Sequence, residues 1–330
     1  MSAFSRDSYH MLFNMDEFQY SMRGLKILLI AFVLFHLLAG LVSPLAYKLV
    51  FAIQASFPNS VTEYLTGKPF PEYYDRGRYL FLLLSLPWMF AKCHMFSAIK
   101  LGYRSTFSWH SNFLRWYLAG LIWATCVFGL LTALGHVQFQ PSLSFGTLLI
   151  GLVLSFLSAF AIGSIEEVVF RGLFFRMFYT AFAPLFSIVL SSLFFAYLHF
   201  KNPVGLWDFS TPPEEVQLMD GLIVGWYVII GIVYNFDLVL FLNLSLVGVT
   251  LTIVFMRTKS LWAAIGLHAG WVTSVLWISK IALRTDEELA AEWWGSYRLL
   301  DGYFCTFSLL IFAVFLSLFY KPRQQKRFEI

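Results

Sequence analysis

Charged residues are scarce in this sequence: aspartate, glutamate, lysine and arginine together make up 13% of its 330 residues. Soluble domains carry about 25% charged residues, so the scarcity excludes an ordinary soluble protein. Cysteine is also rare, and Cys93, Cys126 and Cys305 lie far apart in apolar segments. Their spacing excludes a disulfide framework and a cysteine metal site. The basic residues lie mainly in loops and tails, so we interpret them as signals of membrane orientation and predict no nucleic-acid partner.

Apolar residues dominate the composition: 59% of the chain is hydrophobic, and it contains 37 phenylalanines and 11 tryptophans. A membrane-spanning helix needs ~20 predominantly apolar residues. We therefore predict an all-α fold, a polytopic membrane helix bundle with about eight transmembrane helices and the lipid bilayer as its surroundings. The predicted spans are 25–46, 79–99, 113–135, 145–165, 183–200, 237–256, 261–279 and 303–320.

The predicted spans divide the chain into consecutive parts. These are a cytoplasmic N-terminal tail at 1–24, the first three transmembrane helices at 25–144, a core at 145–280, and a last loop, final helix and basic cytoplasmic tail at 281–330. More lysines and arginines fall on the side that holds both termini, which predicts that both are cytoplasmic. The apolar stretch Leu222–Val233 is short, which favours a re-entrant or interfacial segment within a long loop that follows His199 and runs to about residue 236.

Three ionisable residues, Glu166, Glu167 and Arg171, interrupt an otherwise apolar stretch. An ionisable group at bilayer depth costs ~3 kcal/mol on insertion scales, so such a cluster indicates a functional site. Residues four apart share a helix face, which predicts an ion pair between Glu167 and Arg171. Glu166 points about 100° away and is left for general-base chemistry. The alternative is that the three residues only pack neighbouring helices through a polar network.

Two histidines lie in later spans. His199 ends the apolar segment Phe195-Ala-Tyr-Leu-His199, and Phe195 lies on the same helical face. His268 lies well inside a span between Gly266 and Gly270, and such small residues permit close helix approach. The alternatives are that His199 marks the membrane interface and that His268 makes a hydrogen bond across helices.

Two carboxylates, an arginine and two histidines fit two kinds of hydrolytic chemistry. In one, a carboxylate and a histidine deprotonate a water that attacks an amide carbonyl, and other polar groups stabilise the oxyanion. In the other, glutamate and histidine bind a divalent metal. The arginine and the absence of a His-Glu-x-x-His run argue against a metal site but do not exclude one.

The order of these motifs resembles a known family. Glu166-Glu167-Val-Val-Phe-Arg171, then the segment ending at His199, then His268 are similar to the EExxxR, FxxxH and later-helix histidine of the CAAX protease and bacteriocin-processing (CPBP, Abi) family of glutamate-type intramembrane proteases. The resemblance covers about residues 145–280. The approach to His268 from Arg257 resembles bacterial members in particular, which implies a bacterial cytoplasmic membrane.

The resemblance implies a role for each matching residue. Glu166 would activate the water with help from His199, and His268 would stabilise the oxyanion. Glu167 and Arg171 would orient the site. No metal and no cofactor is then required.

Residues beside the motifs complete the prediction. We assign Phe195 and Trp271 to substrate binding. One departure concerns Val272, which stands where the family often has an asparagine that helps to form the oxyanion hole. A valine side chain donates no hydrogen bond, which puts proteolysis itself in doubt.

The leading hypothesis is an intramembrane endopeptidase that hydrolyses a peptide bond near the cytoplasmic membrane face of a membrane protein or a lipidated peptide. The alternative, which Val272 favours, is a non-catalytic member that acts in peptide immunity or as a membrane signalling partner. A proton-coupled transporter would show paired halves, and the sequence contains none.

Overall fold

A computed structural model describes residues 21–92, 103, 109–139, 143–200, 211–284, 293–295 and 300–319. Most of these residues are helical, which confirms the all-α prediction. The helices are α1 (Ser21–Ser56), α2 (Ser60–Thr66), α3 (Phe70–Lys92), α4 (Trp109–Ala133), α5 (Phe145–Glu167), α6 (Phe175–Ala181), α7 (Pro184–His199), α8 (Asp220–Tyr234), α9 (Leu238–Thr258), α10 (Leu261–Ile281) and α11 (Tyr303–Phe319). A π-helical segment joins α5 to α6, and two short antiparallel strands, β1 (Val137–Phe139) and β2 (Ala282–Arg284), pair with each other.

Long apolar helices confirm a membrane protein. Within the described residues, five helical stretches are long and apolar enough to cross a bilayer: Lys26–Ser56, Trp109–Ala133, Phe145–Tyr179, Leu238–Thr258 and Leu261–Ile281. Three shorter apolar helices accompany them: Pro184–His199, Asp220–Gly231 and Tyr303–Leu318. The span predicted at 79–99 overlaps α3, which begins earlier and carries several charged residues in its first half. Residues 93–99 of that prediction lie outside the described residues.

The chain forms two compact units. The first unit contains α4, α5, the π-helical segment, α6, α7 as far as Ala196, and α9 to α11. The second contains α1 to α3, the end of α7 from Tyr197, and α8. The division into four consecutive segments stays a prediction, because the units follow packing and not chain order.

Helix α8 lies in the part of the chain that the sequence predicted as a long loop. It packs against α1 at Gly221, where a Cβ atom would lie 1.9 Å from the carbonyl oxygen of Gly40. Gly225 similarly leaves room for the hydroxyl of Tyr74, which would lie 2.9 Å from its Cβ. This helix coincides with the short apolar segment Leu222–Val233, and its re-entrant or interfacial placement stays a prediction. With 15 residues, α8 is shorter than the ~20 that a full span needs.

Helix α10 is the most deeply buried of the five long apolar helices, and its glycines let its neighbours approach closely. A Cβ atom on Gly266 would lie 2.3 Å from the carbonyl oxygen of Phe113, and one on Gly270 would lie 2.4 Å from that of Tyr117. Both carbonyls belong to α4, so these positions leave no room for a larger residue. This confirms the predicted close helix approach around His268, which fixes the backbone that carries this histidine.

Candidate active site

The two glutamates lie where α5 changes into a π-helix. Glu167 is the last residue of α5, and the π-helical segment runs from Val168 to Phe174. A π-helix makes i→i+5 hydrogen bonds and is frequent at functional sites. The prediction treated this stretch as a regular α-helix, and that part is wrong. The wider turn nevertheless keeps Arg171 within reach of Glu167.

Glu167 lies at the centre of a buried polar network. Its Oε1 accepts a hydrogen bond of 2.7 Å from Nη1 of Arg171, which confirms the predicted ion pair. The same oxygen lies 2.8 Å from Nδ1 of His268, 101 residues away in sequence. Glu167 has no exposed surface, so this carboxylate has no access to bulk water. Its position and its two partners suit a residue that holds others in place.

Arg171 is held on several sides. Its Nη2 donates a 3.1 Å hydrogen bond to the carbonyl oxygen of Gly248 on α9, and its guanidinium lies 5.2 Å from the ring centre of Phe195. Cation–π contacts of this kind partly replace the lost hydration of a guanidinium. A buried charge costs several kcal/mol of desolvation unless it is paired and hydrogen-bonded, and Arg171 is both. We therefore expect the network to be rigid.

Glu166 differs from its neighbour in exposure and in partners. Its side chain is 28% exposed, and its Oε2 lies 3.8 Å from Nε2 of His268. That distance is too long for a direct hydrogen bond, whereas one water can contact both atoms at about 2.8 Å. Oε2 of either glutamate is buried without a hydrogen-bond partner among the described residues, so the exposed remainder of the Glu166 side chain is what distinguishes the two. Glu166 is therefore the carboxylate of the pair that can take a proton from a water.

His268 connects the two glutamates. A carboxylate only accepts hydrogen bonds, so the contact with Glu167 assigns a proton to Nδ1 of His268. Nε2 is then directed at Glu166, ready to accept a proton when the ring is neutral or to donate one when it is an imidazolium. A carboxylate orients a catalytic histidine in the same way in the Ser-His-Asp triad. The contact also satisfies the alternative interpretation, since it is a hydrogen bond between α10 and α5.

The other predicted site residues lie in different surroundings. His199 is the last residue of α7, is exposed and belongs to the second unit. Phe195 is buried, and its ring centre lies 6.2 Å from that of His268. Trp271 is buried against the rings of Trp123 and Phe312. Their assigned roles in water activation and substrate binding stay predictions.

Two contributors to the site were missed from the sequence. Gly248 supplies the carbonyl that Arg171 binds, and a Cβ on this glycine would lie 2.9 Å from Cα of Ser192. A glycine inside an apolar span is the signal that could have found it. Tyr103 is the other. The pKa of its hydroxyl is raised to about 12, mainly by burial and secondly by the negative charge of Glu167. Tyr103 therefore stays a neutral hydrogen-bond donor within electrostatic reach of the network.

The described residues contain no group of three or more histidine, cysteine, aspartate and glutamate side chains arranged to hold a metal ion. A metal-independent site remains a prediction of the resemblance.

Comparison with known proteins identifies the segment that carries the network. Residues 155–274 match the family model described as type II CAAX prenyl endopeptidase Rce1-like. The matched range contains both glutamates, Arg171, His199 and His268. No curated protein and no solved structure matches the chain. The match confirms the resemblance drawn from the motifs and supports a protease. Residues 155–274 of this all-helical membrane protein are thus similar to the Rce1-like type II CAAX prenyl endopeptidases.

Proposed function

We propose that this protein is an intramembrane endopeptidase in which Glu166 activates the attacking water. The observation that carries the proposal is the different environment of two adjacent carboxylates. Glu167 is buried and neutralised by Arg171 and His268, whereas Glu166 is partly exposed and lies 3.8 Å from Nε2 of His268. A general base must be free to accept a proton within reach of a bound water. Glu166 satisfies that requirement and Glu167 does not.

The reaction follows from these positions. Glu166 takes a proton from the water while the water oxygen bonds to the carbonyl carbon, and the carbonyl electron pair moves to its oxygen. The imidazolium of His268 donates its Nε2 hydrogen to this oxyanion, which stabilises the tetrahedral intermediate. Collapse of the intermediate breaks the carbon–nitrogen bond, and the proton held by Glu166 passes to the leaving amine.

The substrate we propose is a membrane protein or lipidated peptide cleaved near the cytoplasmic face of a bacterial membrane. The description of the matching family model, type II CAAX prenyl endopeptidase, supports a lipidated chain as the substrate. The distribution of lysine and arginine supports an orientation with both termini in the cytoplasm. With that orientation, α5 runs toward the cytoplasm and ends at Glu167, so the site would lie near the inner face.

New protein N-termini in membranes test the proposal. We expect termini that are present in cells expressing the wild type and absent in cells expressing Glu166→Gln, because an amide cannot accept the proton of the water. The substitution is nearly isosteric and lies at a partly exposed side chain, so both proteins should accumulate equally. Identical sets of termini from equally abundant proteins would contradict the proposal.

A second candidate function is a non-catalytic membrane protein, and Val272 favours it. The residue is half-buried one turn after His268 and offers no donor to an oxyanion. An oxyanion-hole donor contributes about 10²–10³-fold to a hydrolytic rate. For an active enzyme that lacks this donor, we expect Val272→Asn to raise the cleavage rate by about tenfold or more. Cleavage of the substrates found by N-terminal profiling measures this, with Val272→Leu as the control without a donor. A non-catalytic protein would stay inactive with either residue.

A further inference from the structure

A groove between α5 and α10 lies apart from the candidate active site. It encloses about 320 Å³ and its lining includes Leu143, Gly151, Leu154, Trp277 and Lys280. The two helices run antiparallel here, since the indole nitrogen of Trp277 donates to the carbonyl oxygen of Leu148 at one end. His268 is nine residues before Trp277, which places the groove about 14 Å along the helix axis from the active site. The volume is at the lower end of the range of about 300–1,000 Å³ for small-molecule sites.

Lys280 is the charged residue in the lining of this groove. Its Cδ would lie 3.9 Å from a Cβ on Gly151, while its Nζ lies 3.4 Å from Oγ of Ser155, one turn further along α5. Lys280 is exposed, but its ammonium reaches along α5 to the hydroxyl of the buried Ser155. Lysines near the end of a membrane helix usually extend toward the interface.

The ammonium of Lys280 has unused hydrogen-bonding capacity. It has three N–H donors, and one of them is accounted for by Ser155. Among the described residues, no carboxylate pairs with it. A cation beside apolar surface in a membrane is stabilised by an anion that brings its own apolar part. The groove provides this combination, because the rest of its lining is mostly apolar.

We propose that this groove binds one anionic phospholipid, with the phosphodiester on Lys280 and an acyl chain along the apolar lining. A phosphate accepts charge-assisted hydrogen bonds from lysine, and hydrocarbon matches the leucines and Trp277. The bilayer supplies such lipids at the open side of a groove between two helices. This site is independent of the proposed function, because none of its lining residues belongs to the glutamate network.

Native mass spectrometry of the purified full chain tests the proposal. The probes are dioleoyl phosphatidylglycerol, dioleoyl phosphatidylcholine and inorganic phosphate. We expect the wild type to bind one phosphatidylglycerol about tenfold more tightly than phosphatidylcholine, because the zwitterionic head carries its own cation. Lys280→Met should remove that preference. Lys48→Met, at an exposed lysine on α1, should retain it.

A second pair of variants tests the groove without changing charge. A Cβ on Gly151 would make ordinary contacts of 3.8 Å with Trp277, so Gly151→Leu can fill the groove without displacing backbone. We expect it to abolish binding of phosphatidylglycerol, while Gly129→Leu, which has nothing within 4 Å of its Cβ, should not. Equal binding of the two phospholipids, retained preference in Lys280→Met, displacement by inorganic phosphate, or undiminished binding to Gly151→Leu would each overturn the proposal.

Discussion

Replacing Arg171 by methionine is expected to lower the free energy of unfolding by about 3–5 kcal/mol. The guanidinium is the cation that neutralises Glu167, which has no exposed surface, and it also satisfies the carbonyl of Gly248. Methionine would leave a buried carboxylate without its charge partner, and the carbonyl of Gly248 would lose one donor while keeping the hydroxyl of Thr252. Equilibrium unfolding in detergent, followed by helical circular dichroism, measures the loss.

Two further variants show whether charge is the cause. Adding Glu167→Gln to Arg171→Met removes both charges and leaves an amide oxygen that can still accept from Nδ1 of His268, so we expect more than half of the lost stability to return. Arg171→Lys keeps a charge but not the planar fork that reaches both Glu167 and Gly248, so its stability should be intermediate. If Arg171→Met unfolds at the same denaturant concentration as the wild type, the ion pair does not contribute to stability in the way the structure indicates.

Local spacing was sufficient to predict part of this site. The four-residue separation of Glu167 and Arg171 predicted their ion pair, because residues four apart face each other on a helix. Gly266 and Gly270 predicted a tightly packed neighbour for the same kind of reason, and α4 is that neighbour. Apolar length predicted most of the helices. All of these properties depend on residues close together in the chain, and the chain displays them directly.

The remaining features depend on contacts between distant parts of the chain. The hydrogen bond between Glu167 and His268 joins residues that are 101 positions apart. No pattern in either segment indicates which residue of the other segment it contacts. The same holds for the carbonyl of Gly248, since every residue has such an acceptor. The π-helical turn after Glu167 was also not predicted, and Arg171 and most of the other residues of this turn are buried. Sequence therefore predicted residues of this network but not which of them contact one another.

Replacing His268 by asparagine is expected to lower the rate of cleavage by about 10²–10³-fold while the protein keeps its stability. The asparagine amide can stand where Nδ1 stands, so Glu167 retains its hydrogen-bond donor and α10 remains joined to α5. The variant has no counterpart to Nε2, the atom that lies 3.8 Å from Glu166 and that would contact the oxyanion. Cleavage of substrates found by N-terminal profiling gives the rate, and unfolding in detergent gives the stability.

His268→Leu provides the comparison that separates chemistry from packing. Leucine removes both nitrogens, so the contact with Glu167 is lost as well, and a buried acceptor left with one donor fewer costs about 1–3 kcal/mol. If His268 is purely structural, His268→Asn should keep full activity and full stability, and only His268→Leu should damage the protein. If His268 acts through Nε2, both variants should be inactive and only His268→Leu should be unstable. The orientation imposed by Glu167, with Nδ1 bound and Nε2 directed at Glu166, leads us to expect the second result.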